Sequence, residues 1–261
     1  MDPLLFQTIL PFSLSALIVI FITVGAEKFG TKVGGILGTM PSTIIIAFVF
    51  IAYNQGVNFA SKAVAVVPAE LGVNILFLFV FALLATYSGI IALLAAFGVW
   101  TVSSSILYLV EFDNIYLSLI IYACILVSTF LILEHKRKIP SQERVPVQYT
   151  VKKIIFRGVL AGIIISISVL LSNINAVLSG IFSVFPAILS STMIIQLREQ
   201  GPSFAAGMAK SMSVGITSVA TYATLIHFLY PLYGIMIGSV VAFGISFCVT
   251  MVLFSLRNKL R

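Results

Sequence analysis

The sequence predicts an all-α integral membrane protein of about nine transmembrane helices. They form two inverted four-helix repeats joined by a linker helix, with helices 2 and 7 broken by proline. Three observations predict it. The 261 residues are 60% hydrophobic and only 9% charged, more apolar surface than a soluble domain of this length can hide. The apolar runs are continuous and roughly twenty residues long, the length a helix needs to cross ~30 Å of hydrocarbon; barrel strands would alternate over ~10 residues. And a stretch near the amino terminus recurs, without a gap, 145 positions later.

The spans read in order as 4–24, 33–53, 59–86, 89–110, 114–133, 154–171, 176–196, 204–228 and 232–256. "MDPLLFQTILPF" has no basic start and no A-x-A-like site, so the first span is expected to stay in place as a permanent helix. The connections are short except for 134–153, "EHKRKIPSQERVPVQYTVKK", which is polar and holds Pro140 and Pro146. This divides the chain into a first repeat at 1–112, a linker helix with a basic loop at 113–153, and a second repeat at 154–261. Cys124 and Cys248 both fall in apolar runs and read as small core residues rather than a disulfide or metal pair.

Charge sets the orientation. Lys136, Arg137, Lys138, Arg144, Lys152, Lys153 and Arg157 cluster at the linker, which is therefore expected on the cytoplasmic side. Nine spans then bring Lys28, Lys32, Arg198, Arg257, Lys259 and Arg261 to the same side, thirteen of the fifteen Lys and Arg in all. The expected topology has the amino terminus outside and the carboxyl terminus inside a prokaryotic plasma membrane. The net charge of +7 is thus a topology signal, and no nucleic-acid partner is expected: there is no basic domain with aromatic platforms.

The repeat pairs "GILGTMPSTIIIAFVFIAYNQGVNFA" at 35–60 with "GIFSVFPAILSSTMIIQLREQGPSFA" at 180–205. Gly35/Gly180, Pro41/Pro186, Gln55/Gln200, Gly56/Gly201, Phe59/Phe204 and Ala60/Ala205 are identical. The first spans of the two copies are five spans apart, an odd number, so the copies point in opposite directions across the bilayer. Inverted repeats of this kind are a common transporter architecture. Each proline removes a backbone hydrogen bond near mid-span, and in lipid the freed carbonyls need protein, polar side chains or water as partners. Thr39, Ser42 and Thr43 surround Pro41; Ser190, Ser191 and Thr192 follow Pro186. These residues are the candidate substrate or ion site. A purely structural kink is the competing reading, since proline and glycine are common in membrane helices.

At "LSGIFSVFPAILSS", "REQGPSFAAGMAKSMSVGI" and "GSVVAFGISFCVTMVLFSLRNKLR" the chain resembles the GlpM-type small membrane proteins. "SALIVIFITVGAEKFGTKVGGILGTMPSTIIIAF" is similar to related single-repeat members of that superfamily. The resemblance implies a fused, duplicated form of a four-span protein, loosely linked to envelope polysaccharide production. In those relatives a Glu follows the first span, matching Glu27 here, whereas the second copy has Ser172 at that position. The resemblance assigns neither a substrate nor a catalytic residue.

Among ionisable groups, Glu70 is the deepest, about twelve residues into the third span. An acid at such depth is by default a functional candidate. It is expected either to carry a proton or cation, or to be paired with a neighbouring helix, for which Asn74 is the candidate. Lys62 and Lys210 stand near opposite ends of equivalent spans and are expected to snorkel to the interfaces or to steer an anion. His135 and His227 lie on opposite sides, so no metal site is expected, and no cofactor is implied. The motifs HExxH, GxSxG and the P-loop do not occur, so the chain is read as a non-enzyme. The expected function is secondary transport of a small solute or envelope precursor. The alternative is a non-transporting accessory scaffold for envelope polysaccharide synthesis. Expected partners are the lipid bilayer, a small-molecule substrate, and either a second copy of the chain or an envelope-synthesis protein.

Overall fold

In the computed structural model, residues 5–28, 40–139 and 150–259 are described, and every regular element among them is a helix. In chain order the α-helices are α1 (Leu10–Lys28), α2 (Ser42–Gln55), α3 (Val57–Val64), α4 (Val67–Leu84), α5 (Gly89–Leu109), α6 (Ile115–Leu131), α7 (Val151–Leu171), α8 (Ala176–Ser183), α9 (Ala187–Glu199), α10 (Pro202–Gly215) and α11 (Thr217–Lys259), with a π-helical turn leading into α1 (Leu5–Ile9) and another following α6 (Ile132–Lys136). Among the described residues seven stretches are long and apolar enough to cross a membrane: 7–25, 57–84, 89–109, 115–136, 151–171, 176–199 and 202–253; α2 is a shorter apolar helix. Thr39 and the prolines of the basic loop lie outside the described residues, and nothing is described of the Glu27 side chain.

The helix boundaries have local causes. Ser88, Asn114 and Asn175 are extended residues whose side-chain oxygens accept hydrogen bonds from the backbone N–H groups of Ile91, Leu117 and Leu178. Those bonds satisfy donors that a helix start would otherwise leave bare. Gly56 and Gly201, at φ +89° and +86°, turn the chain between α2 and α3 and between α9 and α10. Only glycine reaches that conformation cheaply.

Helix α11 is not one rod. Gly234 has φ +74°, Tyr230 Oη lies 2.8 Å from Ser239 Oγ, and a Cβ on Gly238 would come within 3.3 Å of the Leu229 carbonyl carbon. Nine residues of straight helix would hold those backbone atoms ~13.5 Å apart. The chain therefore doubles back at Gly234.

Two glycines bring α7 against α1. Gly158 sits against the Ala16 carbonyl and Ile20, and Gly162 against the Phe12 carbonyl and ring. One turn further, Ser166 Oγ donates to the Thr8 carbonyl at 3.0 Å. Residue numbers rise along α1 as they fall along α7, so the two helices are antiparallel. The Gly-x-x-x-Gly spacing lets the backbones approach closely enough for dispersion contacts and weak hydrogen bonds to hold them.

Helix α4 is the core element. It packs on α5, α6 and α10 and is buried over most of its length. Gly72 lets it meet the Tyr122 backbone and Ile125 on α6. The two cysteines depart from expectation: Cys124 and Cys248 are exposed rather than in the core. Each is on an outward helix face, where a small apolar side chain is soluble in lipid.

Candidate functional site

The site is built around the break at Pro186. Helix α8 ends at Ser183 and α9 begins at Ala187. Pro186 has φ −74° and ψ 36°, and the Ala187 N–H donates across it to the Phe185 carbonyl at 2.7 Å. Pro41 repeats this geometry: φ −77°, ψ 50°, with the Ser42 N–H donating to the Met40 carbonyl at 2.8 Å. Both are close to inverse γ-turns, and each opens a helix at its following residue. The break at Pro186 is thus seen from both sides, while the residues before Met40 lie outside the described set.

The first half of the chain holds the Pro186 break. Asn74 Nδ2 on α4 donates to the Val184 carbonyl at 2.7 Å. Trp100 on α5 stacks edge-on against Phe185 with centroids 4.8 Å apart, and Phe97 stacks on the same ring at 6.2 Å. A carbonyl left bare in an apolar interior costs ~2–7 kcal/mol, so the Asn74 amide answers a real requirement of the break.

One turn before Asn74 on α4 lies Glu70, with 0% exposure. Its Oε1 accepts from Ser104 Oγ at 2.8 Å. The Trp100 indole lies beside the same carboxyl, without hydrogen-bond geometry between them. Glu70 is in none of the ion pairs among the described residues. Its Oε2, and Oδ1 of the 2%-exposed Asn74, have no hydrogen-bond partner. Ser104 thus takes one oxygen of the acid and Val184 the nitrogen of the amide, and the other oxygen of the acid and the oxygen of the amide are left over.

The candidate hydroxyls after Pro186 are engaged within their own helix. Ser190, Ser191 and Thr192 are buried and donate to carbonyls of their own helix, Ala187 for the first and Ile188 for the other two. Their hydrogens are thus engaged within one turn, and what they present beyond the helix is lone pairs. Thr192 Oγ1 uses one of these, accepting from Arg157 Nη1 at 3.0 Å. Ser42 and Thr43 are half-buried at the start of α2.

Arg157 was missed by the sequence reading, which counted it with the basic loop. It is 6% exposed, on the buried face of α7. The available signal was its position inside the helix, directly before the Gly-x-x-x-Gly that packs on α1.

The two lysines do not share an interior. The Lys62 side chain is 62% exposed and stands 3.7 Å from Asp113, before the start of α6. Lys210 is 2% exposed, pairs with Glu134 beyond the end of α6, and donates to the Ile139 carbonyl at 2.6 Å. Snorkelling does not describe Lys210, because a carboxylate and a carbonyl of the linker meet its ammonium inside. Glu199 pairs with Lys153 of α7 rather than with its neighbour Arg198. His227 Nδ1 is 2.8 Å from the Ser61 carbonyl, which fixes the proton on Nδ1, and Ser61 Oγ donates back to the His227 carbonyl at 2.6 Å. Among the described residues no group of three or more His, Cys, Asp or Glu could hold a metal ion.

No family model matches the sequence, and no curated protein or solved structure matches it significantly. The resemblance to GlpM-type proteins rests on the quoted residues alone.

Proposed function

We propose that the protein is a secondary transporter that moves a small solute or an envelope precursor by alternating access between two inverted four-span repeats. The observation that carries this reading is the recurrence of backbone geometry at one sequence offset. Pro41 and Pro186 take the same turn, Gly56 and Gly201 the same left-handed conformation, and the reversal at Gly234 falls where α5 begins at Gly89. Repeat mates α1 and α7 run antiparallel, as inversion requires. With 33–53 as a span completed by α2, and α11 counted as two, the spans number nine.

On this reading the cargo sits between the two breaks. Thr39, Ser42 and Thr43 on one side, and Ser190, Ser191 and Thr192 on the other, offer oxygens to donors on the cargo. Glu70 is the coupling group, placed where its charge is felt at the Pro186 break. The amino terminus faces out and the carboxyl terminus faces the cytoplasm, as the basic loop directs.

Two measurements test it. Thermal unfolding of the purified protein in detergent is followed with amino acids, organic acids, nucleosides, sugars and polyprenyl phosphates. A ligand of the folded state at a hundred times its Kd stabilises by about 2.7 kcal/mol. We expect a saturable rise that disappears in Ser42→Ala/Ser190→Ala. In proteoliposomes, Glu70→Gln is then expected to abolish proton-driven uptake of that cargo. Unchanged uptake would remove Glu70 from coupling. A flat panel with folded protein would favour a scaffold that captures an envelope-synthesis protein.

A further inference from the structure

We infer that Glu70 and Asn74 hold one proton between them, and that this proton governs the hold of α4 on the Pro186 break. The inference deepens the transporter reading and rests on it for its role in coupling.

The argument begins with two acceptors. Glu70 Oε2 and Asn74 Oδ1 are both buried without a hydrogen-bond partner. They project from α4 at i and i+4, the spacing that puts side chains over one another on a helix face. The amide orientation of Asn74 is not arbitrary, because Val184 offers a carbonyl, which can only accept; Nδ2 must face it and Oδ1 must face away. Two buried acceptors left this way are each costly. One proton on Oε2 resolves both, since the carboxylic O–H becomes a donor and Asn74 Oδ1 the acceptor. A metal cation fits less well, for the pair supplies only two free oxygens and Ser104 already spends its hydrogen on Oε1. Alkaline-earth ions, by comparison, gather about six or more.

The surroundings leave that proton to Glu70. Of the titratable groups on elements packed against α4, Lys62 and Lys210 are held by Asp113 and Glu134, and His227 by Ser61. Tyr122 is bonded to Thr217, Tyr230 to Ser239, and Tyr222 lies beside Tyr230. Tyr108, Tyr116, Tyr233 and both cysteines are exposed. Departure of the proton leaves a carboxylate one turn from Asn74. The amide then turns its Nδ2 toward the charge and releases Val184, because a hydrogen bond to an ionised acceptor is the stronger one. The break loses its hold when Glu70 is ionised and regains it when Glu70 is neutral.

The chain carries its own reporter. Trp100 is its single tryptophan, and it lies beside both the Glu70 carboxyl and the Phe185 ring. The experiment titrates the full-length protein in detergent with acid. It follows Trp100 fluorescence together with amide hydrogen exchange over residues 184–190. In wild type both signals should trace the same single-proton curve, with exchange slower on the acid side. In Glu70→Gln both should be flat. In Asn74→Leu the fluorescence curve should persist while the exchange curve is lost. A flat wild-type titration overturns the inference, whatever the variants do. So does an exchange curve that survives in Asn74→Leu, or a wild-type response that sodium reproduces at fixed pH and ionic strength. A flat titration with proton-driven uptake intact removes the shared proton and leaves the transporter. A clear titration with no cargo found removes the transporter alone.

Discussion

At Gly180 one methyl group separates a close helix crossing from a clash. A Cβ there would overlap the Ala63 carbonyl oxygen of α3 and press on Val66. The obstacle is backbone, which cannot swing aside. We expect Gly180→Ala to lower stability by ~1–3 kcal/mol, as overpacking of a tight interface does, read as a lower thermal midpoint in detergent. Ser118→Ala is a second residue-scale test. Ser118 Oγ on α6 accepts from the Ala69 N–H at 2.7 Å, one of the bare donors at the start of α4. Its loss should cost ~1–3 kcal/mol in chemical denaturation, while Ser128→Ala, on an exposed serine of the same helix, should be near neutral. At this scale the sequence was partly legible. Glu70 stood out because an acid in an apolar run has few ordinary explanations. Arg157 did not, because it stands only four positions after Lys153 and charge bias alone assigns both to the loop. The partners of Glu70 and Asn74 were not legible at all, since Ser104 and Val184 are 34 and 110 positions away.

Among the elements, α6 ties the two halves together. Lys62 from the first half and Lys210 from the second meet acids at its opposite ends. Along its length, Ser118 serves the start of α4, and Tyr122 Oη lies 2.8 Å from Thr217 Oγ1 at the start of α11. The two ion pairs differ in burial, and so should the consequences of breaking them. Asp113→Asn should change stability by no more than ~1 kcal/mol, because both partners are exposed. Glu134→Gln should cost more, because it removes the counter-charge of a buried ammonium and leaves the Ile139 carbonyl beside it. Denaturant midpoints of the two variants compare them directly, and equal values would refute the ranking. That the chain is built of long apolar helices was legible from apolar length. The interruption between α3 and α4 at 65–66 carried only Pro68 as a mark, and that residue fits the first turn of a helix as well as a kink.

For the whole molecule the decisive relation is that α1 and α7 cross antiparallel. An antiparallel crossing of these two helices is what the span count expects, since an odd separation would invert the second copy. The crossing itself was not legible, because glycine spacing marks a close approach without naming the partner helix. The arrangement predicts opposite accessibility for two exposed positions. Asn58→Cys and Lys152→Cys, each in a background lacking Cys124 and Cys248, should react with a membrane-impermeant thiol reagent from opposite sides of the membrane. With the basic loop inside, Asn58 labels from outside in intact cells and Lys152 only after lysis. Labelling of both from one side would sink the inverted arrangement.

The anchoring of α6 also fixes a length. The helical stretch 115–136 has 22 residues, ~33 Å at ~1.5 Å per residue, against a hydrocarbon core of ~30 Å. An unanchored helix meets a thicker or thinner bilayer by tilting. This one is tethered at each end to a different half of the protein, so tilting it displaces the halves against each other. Acyl-chain length in the surrounding membrane thereby becomes a mechanical input to the relative position of the two halves.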